Sequence, residues 1–545
     1  MGECKAKVLL IGFEDEENLS IRYLAAVLER DGHLVRIAPC SNSSQINRGL
    51  REITKFKPDL IGISIAFQSL SDIFFDLVSR TRSQGYRGHI TVGGHFPTFE
   101  YKKILETQPG IDSVVRFEGE SAILKLANSI AAPTDLYTVN NLVFRTVDGI
   151  HENPCVNSFQ NLDELPFPHR EKTMERLGEK FATLVSSRGC WHSSCLYCCI
   201  GAFHSQKREK FALRSPENIA SEIGELFHRR KVRLFQFHDD NFMLSSRKET
   251  VNRIFDLKKA IESENIDTKN LAFLIKARPD TIDDEVASAL KELGVVGVFL
   301  GIENASESGL KSLVRGVKLE SINLALKSLE KFEIIPTFNL LIFHPRATLE
   351  EIDANLMFLK NNPYFPFDFG RAEVVAGSPL EMMLIAEGKL KGSWPKWNYS
   401  IDDERVEKMF RINLASFRGK DSLYSDMMQS TIALGYDAYL LKKLHPGPIT
   451  DKLFLYARNL ILKINISILD YILKMRSMID DPGFEEYTSD FSKQLNASCE
   501  EQIRAVRDLE ERMARLQISE RAFKVFGIGS MVQELPILNS IFHFS

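Results

Sequence analysis

Short aliphatic runs alternate with amphipathic stretches along the first part of the chain. KVLLIGF, HLVRIAP, PDLIGISIAF, HITVGG and IDSVVRF are nearly continuous apolar runs, the pattern of strands covered on both faces. Between them, LSIRYLAAVLERDG, INRGLREITKF, LSDIFFDLVSRTRSQG and TFEYKKILETQPG place apolar residues at helical spacing. This alternation predicts an α/β, doubly wound, Rossmann-like domain over residues 1–135. Ligands of such sheets bind past the carboxyl ends of the strands, so GFEDEENLS, SIAFQSLSD, VGGHFPTFE and RFEGES are the loops expected to carry chemistry. Gly93 and Gly94 permit close backbone approach there, and Ser64, Ser69 and Thr98 offer hydroxyls. Tight strand-to-helix turns alone would use the same residues.

Residues 136–178 read as a linker with a small hairpin, punctuated by Pro166 and Pro168. Over residues 179–382 the alternation resumes, from FATLVSSRG to FDFGRAEVVAGSPL, for roughly six βα units, which predicts a full or partial parallel barrel. Residues 383–545 are mainly helical and are expected to cover the barrel mouth and shape a substrate pocket. KLFLYARNLILKINISILDYILKM is interrupted every few positions by polar residues and reads as an amphipathic helix pair. No apolar run approaches the roughly 20 residues that span a bilayer.

At 545 residues the chain needs two or three cores. Its 69 basic and 73 acidic residues leave a net charge of −4, which provides no footprint for nucleic acid. The N-terminus lacks the long apolar stretch of a secretory signal, so a cytoplasmic location is expected. In a reducing compartment, crowded cysteines are metal ligands before they are disulfides. Cys4, Cys40, Cys155 and Cys499 are scattered and read as bystanders, whereas SSRGCWHSSCLYCCIGAFH concentrates Cys190, Cys195, Cys198 and Cys199. Three thiolates just after the first barrel strand suit zinc, completed by His192 or His204, or an iron–sulfur cluster that leaves one iron open.

The strand, RGC, a cysteine triplet ending in C-x-x-C with an aromatic before its last member, and the βα units that follow resemble the radical S-adenosylmethionine (SAM) superfamily. The resemblance implies a four-iron four-sulfur (4Fe-4S) cluster on Cys190, Cys195 and Cys198, with SAM chelated by the fourth iron and cleaved to a 5'-deoxyadenosyl radical. The usual C-x3-C-x2-C appears here as C-x4-C-x2-C. Pairing Cys195 with Cys199 would restore an x3 gap but leave no third cysteine, so Cys199 is read as a small buried hydrophobe. Tyr197 stands where the family carries an aromatic near the adenine. RSPENIASEI, FHDDNF, IKARPDTID, GIENASESGL and GSPL resemble segments of the cobalamin-binding branch. They imply Asp239, Asp240 and Glu303 at the SAM amino group or ribose, and Arg278 at its carboxylate. Helix capping would equally use the two aspartates and Glu303. IFHPRAT replaces the glycine of a Gly-x-Pro-x-x-Thr turn with His344, which argues against close backbone approach there.

VGGHFPTF, IDSVVRFEGES and LDELPFPHRE extend the resemblance to the cobalamin module fused ahead of such barrels. Gly12, Glu14, Asn18, Ser64, Ser69, Gly93, Gly94, Thr98, Gly119 and Glu120 are the implied cobalamin contacts. The first loop lacks the Asp-x-His-x-x-Gly histidine, so cobalt is expected without that ligand and the benzimidazole tail extended near Gly93 and Gly94; His95 and His33 are the possible substitutes, though a lone histidine in a turn reads first as polar surface. The branch implies a radical C-methylase acting on a small molecule, with an external electron donor such as flavodoxin or ferredoxin. Rearrangement or cyclisation with the same cofactors is the alternative. A cobalamin sensor or iron–sulfur carrier is a non-catalytic one, for which a whole barrel is more apparatus than needed.

Overall fold

A computed structural model describes residues 5–14, 17–132, 135–156, 161–204, 211–481 and 483–526. Cys4 lies outside them. The first unit runs β1 (Lys7–Gly12), α1 (Leu19–Arg30), β2 (Leu34–Pro39), α2 (Ile46–Phe56), β3 (Leu60–Ser64) and α3 (Ser71–Ser83). It continues through β4 (His89–Gly93), α4 (His95–Thr107), β5 (Ser113–Val115), α5 (Glu120–Ala131) and a hairpin, β6 (Leu142–Thr146) and β7 (Gly149–Glu152). The strand order is β2-β1-β3-β4-β5-β6-β7, parallel through β5 and antiparallel across the hairpin, which joins this sheet directly. Order reverses between β1 and β3, and the loops at that crevice are the ones flagged by the apolar pattern.

The second sheet contains β8 (Met174–Arg176) and β9 (Glu179–Leu184). A short ribbon of β10 (Ser187–Gly189) and β11 (Phe211–Leu213) flanks the cysteine segment and its helix α6 (Ile200–Phe203). Then come α7 (Pro216–Arg230), β12 (Val232–Phe237), α8 (Arg247–Ser263), β13 (Ala272–Ala277), α9 (Asp284–Leu293) and β14 (Val295–Leu300). The series ends with α10 (Glu307–Ser312), α11 (Leu319–Lys331), β15 (Ile335–Phe343), α12 (Leu349–Asn361), β16 (Phe367–Arg371) and α13 (Pro379–Ala386). The order β16-β15-β14-β13-β12-β9-β8 has parallel pairs from β9 to β16, antiparallel β8, and no bond between its edge strands: a partial barrel. Ser215, Ser246, Asp283, Ser306, Thr348 and Ser378 each accept a backbone N–H at a helix start, which explains where successive strands hand over.

The hairpin β17 (Lys391–Ser393) and β18 (Lys396–Asn398) reaches back to the first unit. Its Trp394 stacks on Phe75 and donates to Glu100 at 2.7 Å. Four helices follow: α14 (Glu404–Ser416), α15 (Tyr424–Leu444), α16 (Pro448–Met478) and α17 (Phe484–Phe526). The stretch expected to be a helix pair is the single helix α16. Nor does α15 cover the mouth of the barrel. Its Tyr436 lies on Gly297 near the start of β14, Lys442 pairs with Glu333 ahead of β15 at 2.6 Å, and His445 reaches Glu179 at the start of β9 at 3.3 Å. These are the amino ends of the strands, opposite the cysteine loop, so α15 plugs the far end of the barrel. The barrel and these helices share one apolar core. Among the described residues no helix is long and apolar enough to cross a membrane.

Candidate functional site

Two adjacent carboxylates shape the approach to the cysteines. Asp239, at the end of β12, accepts from the backbone of Ser186 at 2.7 Å and Ser187 at 3.1 Å and from the Ser186 hydroxyl. Its carboxylate is buried and spent on positioning that strand end. Burial pushes it up to about 6, against the pull of those donors. Asp240 accepts from the Gly189 N–H at 3.1 Å, one residue before Cys190. The extra residue between Cys190 and Cys195 is taken up by a turn in which Ser193 adopts φ +40°. Gly201 packs against it so closely that a Cβ would stand 2.0 Å from the Ser193 carbonyl oxygen. His192 seats on Gly316, Trp191 donates to the Met243 carbonyl at 3.1 Å, and the Arg278 guanidinium lies 5.0 Å over the Trp191 ring. Beyond the turn, Leu196 bonds Leu313 and Leu380 through its backbone.

Cys190, Cys195 and Cys198 are half-buried and Cys199 is buried. Burial works to raise the Cys195 thiol, but His192, Arg315 and Arg278 outweigh it and bring it to about 7. Arg315 stands 3.3 Å from its sulfur. Burial pushes Cys198 up to about 12 and Cys199 to about 11. Among the described residues no three His, Cys, Asp or Glu side chains converge on a point that could hold a single metal ion. A cluster distributes its thiolates over separate irons, so three half-buried cysteines on one loop fit it better than they fit zinc. The surroundings fit an anionic group beside it as well. Arg278 and Arg315 are buried, and Nη1 of the first and Nε of the second have no hydrogen-bond partner among the described residues. Tyr197 lies beside the Glu303 carboxyl, whose pKa burial pushes up, and Glu303 sits at φ +67°. His344 is buried and bonds Glu351 at 2.8 Å, tying its turn to α12 without a glycine.

In the first unit, a cavity of about 250 Å³ lies at the carboxyl ends of the strands. Ser64, Gly93, Gly94, Gly119 and Glu120 line it. Gly94 has φ +110°, and a Cβ there would stand 2.9 Å from the Ile65 carbonyl oxygen. The cradle thus depends on a bare backbone, and its volume suits a slender tail with the bulk of a large ligand outside. Gly12, Glu14, Asn18, Ser69 and Thr98 are not among the lining residues. Glu14 pairs with Arg22 at 2.6 Å and accepts from Asn18, whose side chain caps α1; Thr98 bridges Gly94 and Phe117; Ser69 is exposed. His95 is not surface: it lines the cavity with its ring 4.5 Å from Phe203. His33 is buried, held by Ala6 and Asn128.

The barrel closes this cavity with His238, Asp240 and Arg188. Arg188, two residues before Cys190, pairs with Glu120 at 2.6 Å and Glu118 at 3.6 Å and faces the Tyr23 ring. Glu17 in the first loop accepts from the Thr183 backbone at 2.8 Å, within β9. Arg188 and Arg315 were not singled out from the sequence, although Arg188 stands in the RGC run and Arg315 follows α10 in a Val-Arg-Gly turn.

Residues 12–127 match the B12 binding domain family, and residues 184–359 match the Radical SAM superfamily. The chain is 25% identical over 413 residues to an uncharacterized methyltransferase of Pyrococcus horikoshii, covering 73% of this chain and 87% of the relative. It is 30% identical over 254 residues to the anaerobic magnesium-protoporphyrin IX monomethyl ester cyclase of Synechocystis sp., covering 45% of this chain and 48% of the relative, about half its length. The solved cobalamin-dependent S-adenosylmethionine radical enzyme OxsB, with aqua-cobalamin and S-adenosylmethionine bound, superposes with a TM-score of 0.64 at 17% identity. That match covers 98% of this chain and 83% of the other, a likeness of fold that includes the helical region.

Proposed function

Because this chain belongs to the radical SAM enzymes that carry an N-terminal B12-binding domain, with cobalamin, SAM and a 4Fe-4S cluster as cofactors, we propose that it methylates an unactivated carbon of a small molecule. The observation that carries this reading is the continuity of the two half-sites. The glycine-lined cavity ends at Asp240, the same residue whose carboxylate holds the backbone ahead of Cys190. When bound, the cluster with SAM supplies hydrogen-atom abstraction and cobalamin supplies a transferable methyl group.

The chain's own residues bind, orient and exclude water. Cys190, Cys195 and Cys198 would hold the cluster, with Arg315, 3.3 Å from the Cys195 sulfur, offsetting thiolate charge. The N–H groups of Arg278 and Arg315 that are unpaired among the described residues would receive the SAM carboxylate, with Tyr197 and Glu303 toward its adenine and amino ends. Asp239 positions rather than binds. Gly93 and Gly94 admit the cobalamin tail, and Ser64, Gly119 and Glu120 line its path. The first unit covers one end of the barrel and α15 closes the other, keeping water from a reactive intermediate.

The similarity to a cyclase supports a second reading, in which the same cofactors close or rearrange a ring without methyl transfer. Methyl-labelled SAM given to the loaded enzyme, reduced by flavodoxin or ferredoxin, separates the two. Label in the product with both S-adenosylhomocysteine and 5'-deoxyadenosine formed is expected. Turnover giving 5'-deoxyadenosine alone, with unlabelled product, would overturn methylation in favour of cyclisation.

A further inference from the structure

Residues of the barrel interior alternate with those under the outer helices. Lys276 of β13, Phe299 of β14, and Asn339 and Leu341 of β15 are half-buried, whereas their outward-facing neighbours are buried under the helices. At the far end this interior is filled. The Tyr436 ring occupies the space where a Gly297 Cβ would stand, 2.4 Å from two ring carbons, and its hydroxyl pairs with Thr337. Above Tyr436 the interior, or chamber, is lined by the half-buried Lys276 and its register partner Phe299.

Lys276 is the feature of this chamber that the folding of the chain does not use. Its ammonium makes no hydrogen bond and no ion pair within 4.0 Å to a described residue. It acts through space on the charge of Asp240, which lines the cavity of the first unit. That carboxyl already accepts from the Gly189 N–H at 3.1 Å. A half-buried lysine that no hydrogen bond or ion pair among the described residues engages is available to a ligand of opposite charge. Phe299 and Leu341 lower the local dielectric and strengthen attraction to an entering anion.

We propose that Lys276 is an anion-binding residue of the substrate chamber, so that the substrate carries a carboxylate or phosphate group held there. This rests on the reading that the barrel houses the reaction on a small molecule. A fixed anionic handle set apart from the reacting carbon orients one hydrogen toward the cofactors.

The test is competitive acetylation of the reconstituted holoenzyme. Lys276 modification by an N-hydroxysuccinimide acetate ester is quantified by peptide mass spectrometry with increasing acetate, inorganic phosphate or methylphosphonate, and with neutral acetamide as the control. Saturable, severalfold protection of Lys276 by at least one anion and none by acetamide is expected; which anion protects separates carboxylate from phosphate. No protection by any anion, equal protection by acetamide, or no modification of Lys276 in the free holoenzyme would overturn the proposal. The labelling reads the chamber whether or not a methyl group is transferred, so its failure and that of the methyl-label experiment are separate outcomes.

Discussion

Glu222 of α7 lies between two arginines in a pocket closed to water. Its carboxylate stands 2.8 Å from Arg170 and 2.7 Å from Arg214, with side-chain exposures of 1% for Glu222 and 3% for each arginine. Arg170 also faces Glu17 of the first unit at 3.3 Å; Glu17 lies 3.9 Å from Arg22, itself paired with Glu14, so three carboxylates balance three guanidiniums across the interface. Glu222→Ala removes one negative charge and strands a guanidinium in low dielectric. Loss of one partner from a buried pair costs about 3–5 kcal/mol, against about 0–1 kcal/mol for a surface pair. Adding Arg214→Met restores the balance, because Arg170 keeps Glu17, and the double variant should recover about 1–3 kcal/mol of the single loss.

Urea unfolding followed by tryptophan fluorescence reads the effect, since Trp191 is half-buried in the barrel with its indole N–H on the Met243 carbonyl. Raising salt from about 0.1 M to about 1 M should leave the difference between wild type and Glu222→Ala unchanged, because a pair closed to solvent is little screened. A loss below about 1 kcal/mol, or a double variant equal to the sum of the two single changes, would refute the view that this network is one charge-balanced unit.

Cys198→Ala should lose most of its iron and acid-labile sulfide after anaerobic reconstitution, while Cys199→Ala keeps both; equal loss in the two would put the ligand register one residue out. Gly297→Ala forces a methyl group into the Tyr436 ring and should cost about 1–3 kcal/mol by overpacking, read as a lower melting temperature. Burial lowers the pKa of His33, whose Nδ1 accepts from Ala6 N–H. The unfolded chain therefore takes up the proton first: the contribution of His33 is intact above about 6.5 and is lost as pH falls from there toward the depressed folded value. Urea midpoints measured across that window should fall with acidification, and His33→Gln should flatten the dependence.

Both sheets were legible because their strands are covered on two faces, which leaves uninterrupted runs such as LIGIS and VVGVFL, and because a Ser, Thr or Asp marks the start of most barrel helices. The helix break expected within KLFLYARNLILKINISILDYILKM was misread. Lys452, Lys463, Asp470 and Lys474 are exposed along one helix, and Asn465, which looked like an interruption, is buried and donates to the Pro363 and Phe365 carbonyls at 2.9 Å. A polar residue inside an apolar stretch signals a break only if nothing in the tertiary structure bonds it. His33 misled for the same reason, its partners lying 27 and 95 residues away. Glu14 and Asn18 sit in the expected loop, but their polar groups are turned to each other and to Arg22.

The placement of α15 could not be read because it depends on a complementarity distant in sequence: Gly297 leaves a gap and Tyr436 fills it. That pairing has a consequence for the opposite end. With the amino ends of the strands plugged, the interior opens toward the cysteine loop and the first unit, so access is governed by how those two meet. Arg188 fixes that meeting, since it leaves the backbone two residues before Cys190 and ends on Glu118 and Glu120, at the start of the helix whose neighbouring loop lines the cavity. A shift of the first unit would have to break a half-buried ion pair or carry the cysteine loop with it. The separation of the two half-sites is therefore set by this contact and by Glu17 on Thr183, rather than by the length of the segment that joins them.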